Sequence, residues 1–263
     1  MMYSLLSGLL SDKVGGEVFT CFSLWHWGFI ILIAGITLWA ILYLKDKSQD
    51  ERDRIVKLFI HIAFGLYIAD FFLMPFAYGE IDVDKLPFHS CTAMCVMCFC
   101  SHHNRLLEKY RLHFALLGFI SNLIYIIYPA GIMWYEIHPL SYRAVQTLLF
   151  HGMMVVHCLL ALLFDKQKPE WRTCYKNLIL LVVMTFWAIL GNALYSGEGE
   201  DYSRSFNWFF VRQDPLDVLP AHIAPYVSPV LNIAAFFAVE MLIYLIYDLV
   251  KKRLAAKAAP KKV

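Results

Sequence analysis

The chain has 263 residues, 60% of them hydrophobic and only 17% charged, with a formal net charge of +2 and a mean hydropathy of +0.56. A water-soluble chain of this size carries charge on nearer a quarter of its residues, so a soluble globular domain is excluded. The small net charge says little about partners, because its two halves face different compartments.

In chain order, residues 1–23 form a polar, glycine-containing lead without a positive n-region or an A-x-A-like cleavage site, which predicts a retained first span that acts as its own insertion signal. Apolar runs of about 18 to 24 residues follow, long enough to cross roughly 30 Å of hydrocarbon. They predict an all-α polytopic membrane protein, a bundle of seven transmembrane helices at roughly 24–44, 55–77, 87–103, 113–133, 143–164, 177–195 and 228–250. The third run is short and rich in cysteine, and a re-entrant reading of it leaves six spans.

The first run carries His26. The charge run KDKSQDERDR after it reads as a solvated loop. The second run carries His61 and Asp70, with Pro75 near its end, and a short acidic loop, GEIDVDK, follows. The third run opens with LPFHSC at 86–91, placing His89 and Cys91 where a lipid-facing helix carries leucine. Asn122 lies in the fourth run, His151 and His157 in the fifth, Asn192 in the sixth, and Asn232 and Glu240 in the seventh. Between the last two, residues 197–229 mix Trp208, Phe209 and Phe210 with four prolines, which predicts an irregular segment at the outer interface. The basic tail, 251–263, reads as a cytoplasmic segment facing anionic lipid rather than as a nucleic-acid arm.

Charge sets the expected orientation. Of the 23 Lys and Arg residues, 18 fall in 45–57, 105–111, 166–176 and 251–262, and five fall in the alternate segments. The positive-inside rule then places the N-terminus out and the C-terminus in, with the transmembrane domain at 24–250 in the cell membrane. Dropping the third span scrambles this alternation.

With that orientation, Cys91 lies about 6 Å below the outer end of its helix, Asp70 about 10 Å and His151 about 12 Å. His26 and Asn192 also lie near outer ends. His61, His157 and Glu240 lie deeper. Ionisable groups in hydrocarbon cost several kcal/mol, roughly, and each asks for a partner. A cysteine and a histidine at similar depth suit covalent catalysis. A thiolate attacks an ester or thioester carbonyl, and the imidazole takes the thiol proton and returns it to the leaving group. The helix start after Pro87 favours a thiolate, and its N–H groups or Thr92 offer oxyanion donors. A buried small hydrophobe remains the ordinary fate of a cysteine.

The seven cysteines, at 21, 91, 95, 98, 100, 158 and 174, do not suggest a disulfide framework. Cys91, Cys95, Cys98 and His102 form one stripe about 16 Å long, too extended to close around one ion. No structural metal site is therefore expected. His102 and His103 sit at the inner rim, where weak metal binding is one reading and solvated loop histidines the other. A different use of the same polar groups is a proton relay through Asp70 and Glu240, as in a transporter, although paired Gly/Pro-broken segments in two halves are missing.

Several pieces together resemble the YwaF-like integral membrane proteins and the transmembrane protein 164 family. LPFHSC is similar to that family's LP-x-H-x-C signature, and FHG at 150–152 to its histidine–glycine pair. YPAGI at 128–132, NALYS at 192–196, FNWFFVRQDP at 206–215 and SLWHWG at 23–28 extend the likeness across the chain. The segment AHIAPYV and the cysteine cluster after Cys91 depart from the family pattern, which bears on substrate choice. The resemblance implies a cofactor-free lipid acyltransferase or lipid hydrolase with membrane lipids as substrate. It implies Cys91 as nucleophile and His151 as general base and acid. His89, Asp70, Asn192 and His26 are then expected around the cavity, with Asp70 a candidate to orient the histidine.

Overall fold

The computed structural model describes residues 17–78, 83–133, 137–195, 207–212 and 218–258. Most of the expected N-terminal lead, much of the 197–229 segment and the end of the basic tail fall outside these residues. Among the described residues all regular structure is helical. The main helices are α1 (Leu24–Leu44), α2 (Gln49–Tyr78), α3 (Ser90–Ser101), α4 (Arg105–Glu108), α5 (Arg111–Ile127), α6 (Ala130–Met133), α7 (Tyr142–Phe164), α8 (Cys174–Tyr195) and α9 (Ala224–Ala258).

Among the described residues six helical stretches are long and apolar enough to cross a membrane, among them α1, α2, α7 and the run from α5 through α6. α3 has only 12 residues, about 18 Å of helix, and is not one of these six.

Two boundaries differ from expectation for local reasons. α2 begins at Gln49 inside the presumed solvated loop, because Ser48 and Glu51 form a capping box. The Ser48 N–H donates to Glu51 Oε2 at 3.2 Å and the Glu51 N–H to Ser48 Oγ at 3.4 Å. The fourth span is interrupted after Ile127, since Pro129 has no N–H and pushes Tyr128 out of the helical region (φ −135°, ψ 86°). Pro75 is accommodated near the end of α2 without ending it.

The helices group into two compact units, 1–166 and 167–263. In the first, α7 is the central element and packs against α1, α2 and α5, while α3 packs against α2 and α5. Burial follows from this arrangement: 72% of the apolar window of α7 is buried, against 17% for α1. Two glycines let helices close in. A Cβ on Gly118 would lie 3.0 Å from Cys158 Sγ and 3.3 Å from Met94 Cβ, where α3, α5 and α7 converge. A Cβ on Gly152 would lie 2.2 Å from Ile33 Cδ1, so α1 crosses α7 through that gap. At one end of the unit Arg111 ties three elements, bonding Asp165 Oδ2 at 3.1 Å and the Ser101 carbonyl at 3.2 Å.

In the second unit α8 packs against α9 through polar as well as apolar groups, a usual device where lipid removes the hydrophobic drive between helices. Asn177 donates to Tyr244 at 3.4 Å. Phe209 and Phe210 take left-handed backbone conformations (φ 55° and 52°) that are uncommon for bulky residues. Asn232 holds them by donating to both carbonyls, at 2.8 and 3.1 Å.

Candidate functional site

His151 sits on α7 and is 4% exposed. Its Nδ1 lies 2.7 Å from Oδ1 of Asn122 on α5, and the Asn122 Nδ2 donates to the Gly118 carbonyl at 2.7 Å. Because the amide nitrogen is committed to a carbonyl, the oxygen faces the ring and Nδ1 must carry the hydrogen. Nε2 is left with the lone pair, as a general base requires. Two rings fix the imidazole plane. Tyr125 stacks on it at 3.8 Å and 16°, and Phe150 meets it edge-on at 4.9 Å.

Around this ring the first unit gathers other polar groups. Lys85 and His89 act electrostatically on His151. Lys85 pairs with Asp70 on α2 at 2.9 Å, and its carbonyl accepts from Tyr67 at 2.9 Å. Tyr67 in turn lies within electrostatic range of Cys91, Cys95 and Asp70, and its ring is 6.2 Å from Phe150. The segment 83–101 thus brings Lys85 and His89 within electrostatic range of His151, and Cys91 within that of Tyr67.

Cys91 occupies the first turn of α3, is partly buried and forms no disulfide. His89 is the N-cap residue, with extended backbone (φ −73°, ψ 145°) that turns the chain into the helix. The first-turn amides of a helix have no intrahelical acceptor and carry the positive end of its dipole. Thr92 was the other expected oxyanion donor, but its hydroxyl donates to the His89 carbonyl at 3.1 Å.

The remaining expected residues take different roles. Asp70 is 2% exposed and pairs with Lys85; the group that orients His151 is Asn122. His26 commits both ring nitrogens to backbone. Its Nδ1 accepts from the Phe22 N–H at 2.8 Å, so Nε2 donates to the Ile126 carbonyl at 2.8 Å. It thereby pins Phe22, whose φ is +60°, and the end of α5. Asn192 belongs to the second unit, where Oδ1 accepts from the Trp208 N–H and Nδ2 donates to the Trp208 and Ala188 carbonyls. Glu240, also in that unit, is fully buried, and neither carboxyl oxygen has a hydrogen-bond partner among the described residues. Lys85 and Tyr125 went unnoticed in the sequence, one reading as a loop cation and the other as one of 15 tyrosines. No cluster of three or more His, Cys, Asp or Glu among the described residues is arranged to hold a metal ion.

Several long apolar helices surrounding buried polar side chains define a polytopic helical membrane protein. Comparison with protein families goes further: residues 21–247 match the model of the TMEM164 family, and the chain belongs to that family. No curated protein and no solved structure matches it.

Proposed function

We propose that the protein is an integral membrane lipid-modifying enzyme, an acyltransferase or lipid hydrolase, that works through an acyl-enzyme on Cys91. The observation that carries this reading is the held imidazole of His151, with Nδ1–H on Asn122, a ring stacked on Tyr125, and Nε2 available as a base. His151 Nε2 takes the Cys91 thiol proton, and Sγ attacks the ester carbonyl carbon of a membrane lipid. The tetrahedral oxyanion is met by first-turn amides of α3. The acyl–oxygen bond breaks, His151 returns the proton to the departing alkoxide, and a thioester remains on Cys91. A second lipid hydroxyl, or water, then attacks the thioester while His151 accepts its proton, and Cys91 is released as the thiol. No cofactor is required. Substrate arrives laterally from the bilayer, which accounts for polar groups a few ångströms below the surface.

The topology that goes with this reading has seven crossings, α3 with its flanking residues forming the third, with the N-terminus out, the C-terminus in, and the cell membrane as location. The 18-to-5 division of basic residues supports it. Comparative lipidomics of cells with the wild type and Cys91→Ser tests the activity. A changed acyl-chain distribution is expected, and an unchanged one counts against an enzyme.

Glu240 supports a second reading, a proton-coupled transporter using Asp70 and Glu240, because a buried carboxyl without hydrogen bonds is costly in a structural role. Under that reading Glu240→Gln abolishes function while Cys91→Ala and His151→Ala retain it.

A further inference from the structure

His61, near the middle of α2, and His103, in the turn after α3, meet at 3.2 Å between their Nε2 atoms. The other nitrogen of His61 settles what faces His103. His61 Nδ1 lies 2.6 Å from the Lys57 carbonyl, which only accepts, so Nδ1 carries the hydrogen and the neutral ring turns its Nε2 lone pair toward His103. A carbonyl holding the far N–H of an imidazole is the arrangement that orients metal-binding histidines. Two nitrogens bound to one ion at about 2.0–2.1 Å stand roughly 2.9 Å apart at a right angle and roughly 3.3 Å apart at a tetrahedral angle. The observed separation lies between these values, so the spacing of the two nitrogens suits a pair of ligands to one ion.

The rings are also held in place. Phe99 lies 5.1 Å from His61 and 4.9 Å from His103, and it stacks on Phe64 at 4.0 Å. His103 is exposed on the protein, which leaves further coordination positions open. His102 turns instead to His157, at 5.5 Å between ring centroids. Lys57 is the cation that acts on His103, and its charge opposes a weakly bound ion. Hard cations such as calcium and magnesium prefer oxygen ligands in any case.

We propose that His61 and His103 form a two-histidine site for a borderline divalent transition-metal ion such as zinc(II), completed by water. It bridges α2 and the end of α3, away from the His151 cluster, and is independent of the acyl-enzyme reading.

The test uses the full chain in detergent, purified through a tag without histidine, stripped with chelator and titrated with zinc(II) by calorimetry. One zinc per chain is expected, with affinity reduced on the order of tenfold or more in His61→Ala and in His103→Ala. His222→Ala, at an exposed histidine, is expected to bind as the wild type does. Zinc is also expected to protect His61 and His103 from carbethoxylation by diethyl pyrocarbonate, read by mass spectrometry. Because His103 is exposed, His103→Gln keeps the test valid should His61→Ala misfold. If the wild type binds zinc no more tightly than His103→Ala and His103→Gln, or if neither histidine is protected, the pair is a plain hydrogen bond and the proposal is overturned.

Discussion

At the scale of single residues, the amide of Asn122 sets the proton pattern of His151, because its own nitrogen is already committed to the Gly118 carbonyl. Removing that amide frees the ring to rotate and to exchange tautomers without disturbing Cys91. Asn122→Ala is therefore expected to lower acyl transfer about a hundredfold, the order of loss that misplacement of a reacting group produces. Turnover of a defined phospholipid in nanodiscs measures it, and an unchanged rate removes Asn122 from the mechanism. A second test concerns the Asp70–Lys85 pair. Lys85→Met leaves a 2%-exposed carboxylate without its cation. Because Lys85 keeps some contact with solvent, the expected cost is roughly 2–4 kcal/mol, the low side of the range for a broken buried pair. Thermal unfolding in detergent should show less loss when Asp70→Asn is added. Cys91, His151 and Asp70 were legible in the sequence because each is polar within an apolar run. Their partners were not. Asn122 read only as a neutral polar group, and nothing local to Lys85 announces that it folds back onto α2.

At the scale of elements, the crossing of α1 over α7 depends on the missing side chain at Gly152, next to His151. Gly152→Ala places a Cβ inside Ile33. Overpacking of this kind costs about 1–3 kcal/mol, and Ile33→Ala in the same chain is expected to restore most of it. Equal losses in the single and double variants would show that the gap is not what positions α1. Helix composition made the six long helical stretches legible, since an apolar run of sufficient length allows a helix across lipid and little else. The start of α2 was also legible, in the S-x-x-E pattern of Ser48–Glu51, but its charged flank masked the cap. The shortness of α3 was not legible. Its helix is set by the N-cap at His89 and ends at His102, where the carbonyls of Cys100 and Phe99 take the capping N–H.

At the scale of the whole molecule, the charge asymmetry predicts the basic tail on the inner side. A reporter fused after residue 263 that is active only in the cytoplasm should be active, and an active export-dependent reporter at that position would reverse the topology. The two compact units were hidden in the sequence, where evenly spaced apolar runs suggest one bundle; the division follows from which helices pack, and periodicity does not encode that. In the proposed mechanism Cys91 carries the acyl group. The most direct measurement incubates the purified protein with phospholipid bearing an isotopically labelled acyl chain and analyses the peptide containing Cys91 by mass spectrometry. A labelled, hydroxylamine-sensitive thioester on Cys91 is expected, diminished in His151→Ala and absent in Cys91→Ala. An unlabelled Cys91 in a preparation that remodels lipid, or equal labelling in the His151→Ala variant, would contradict that mechanism.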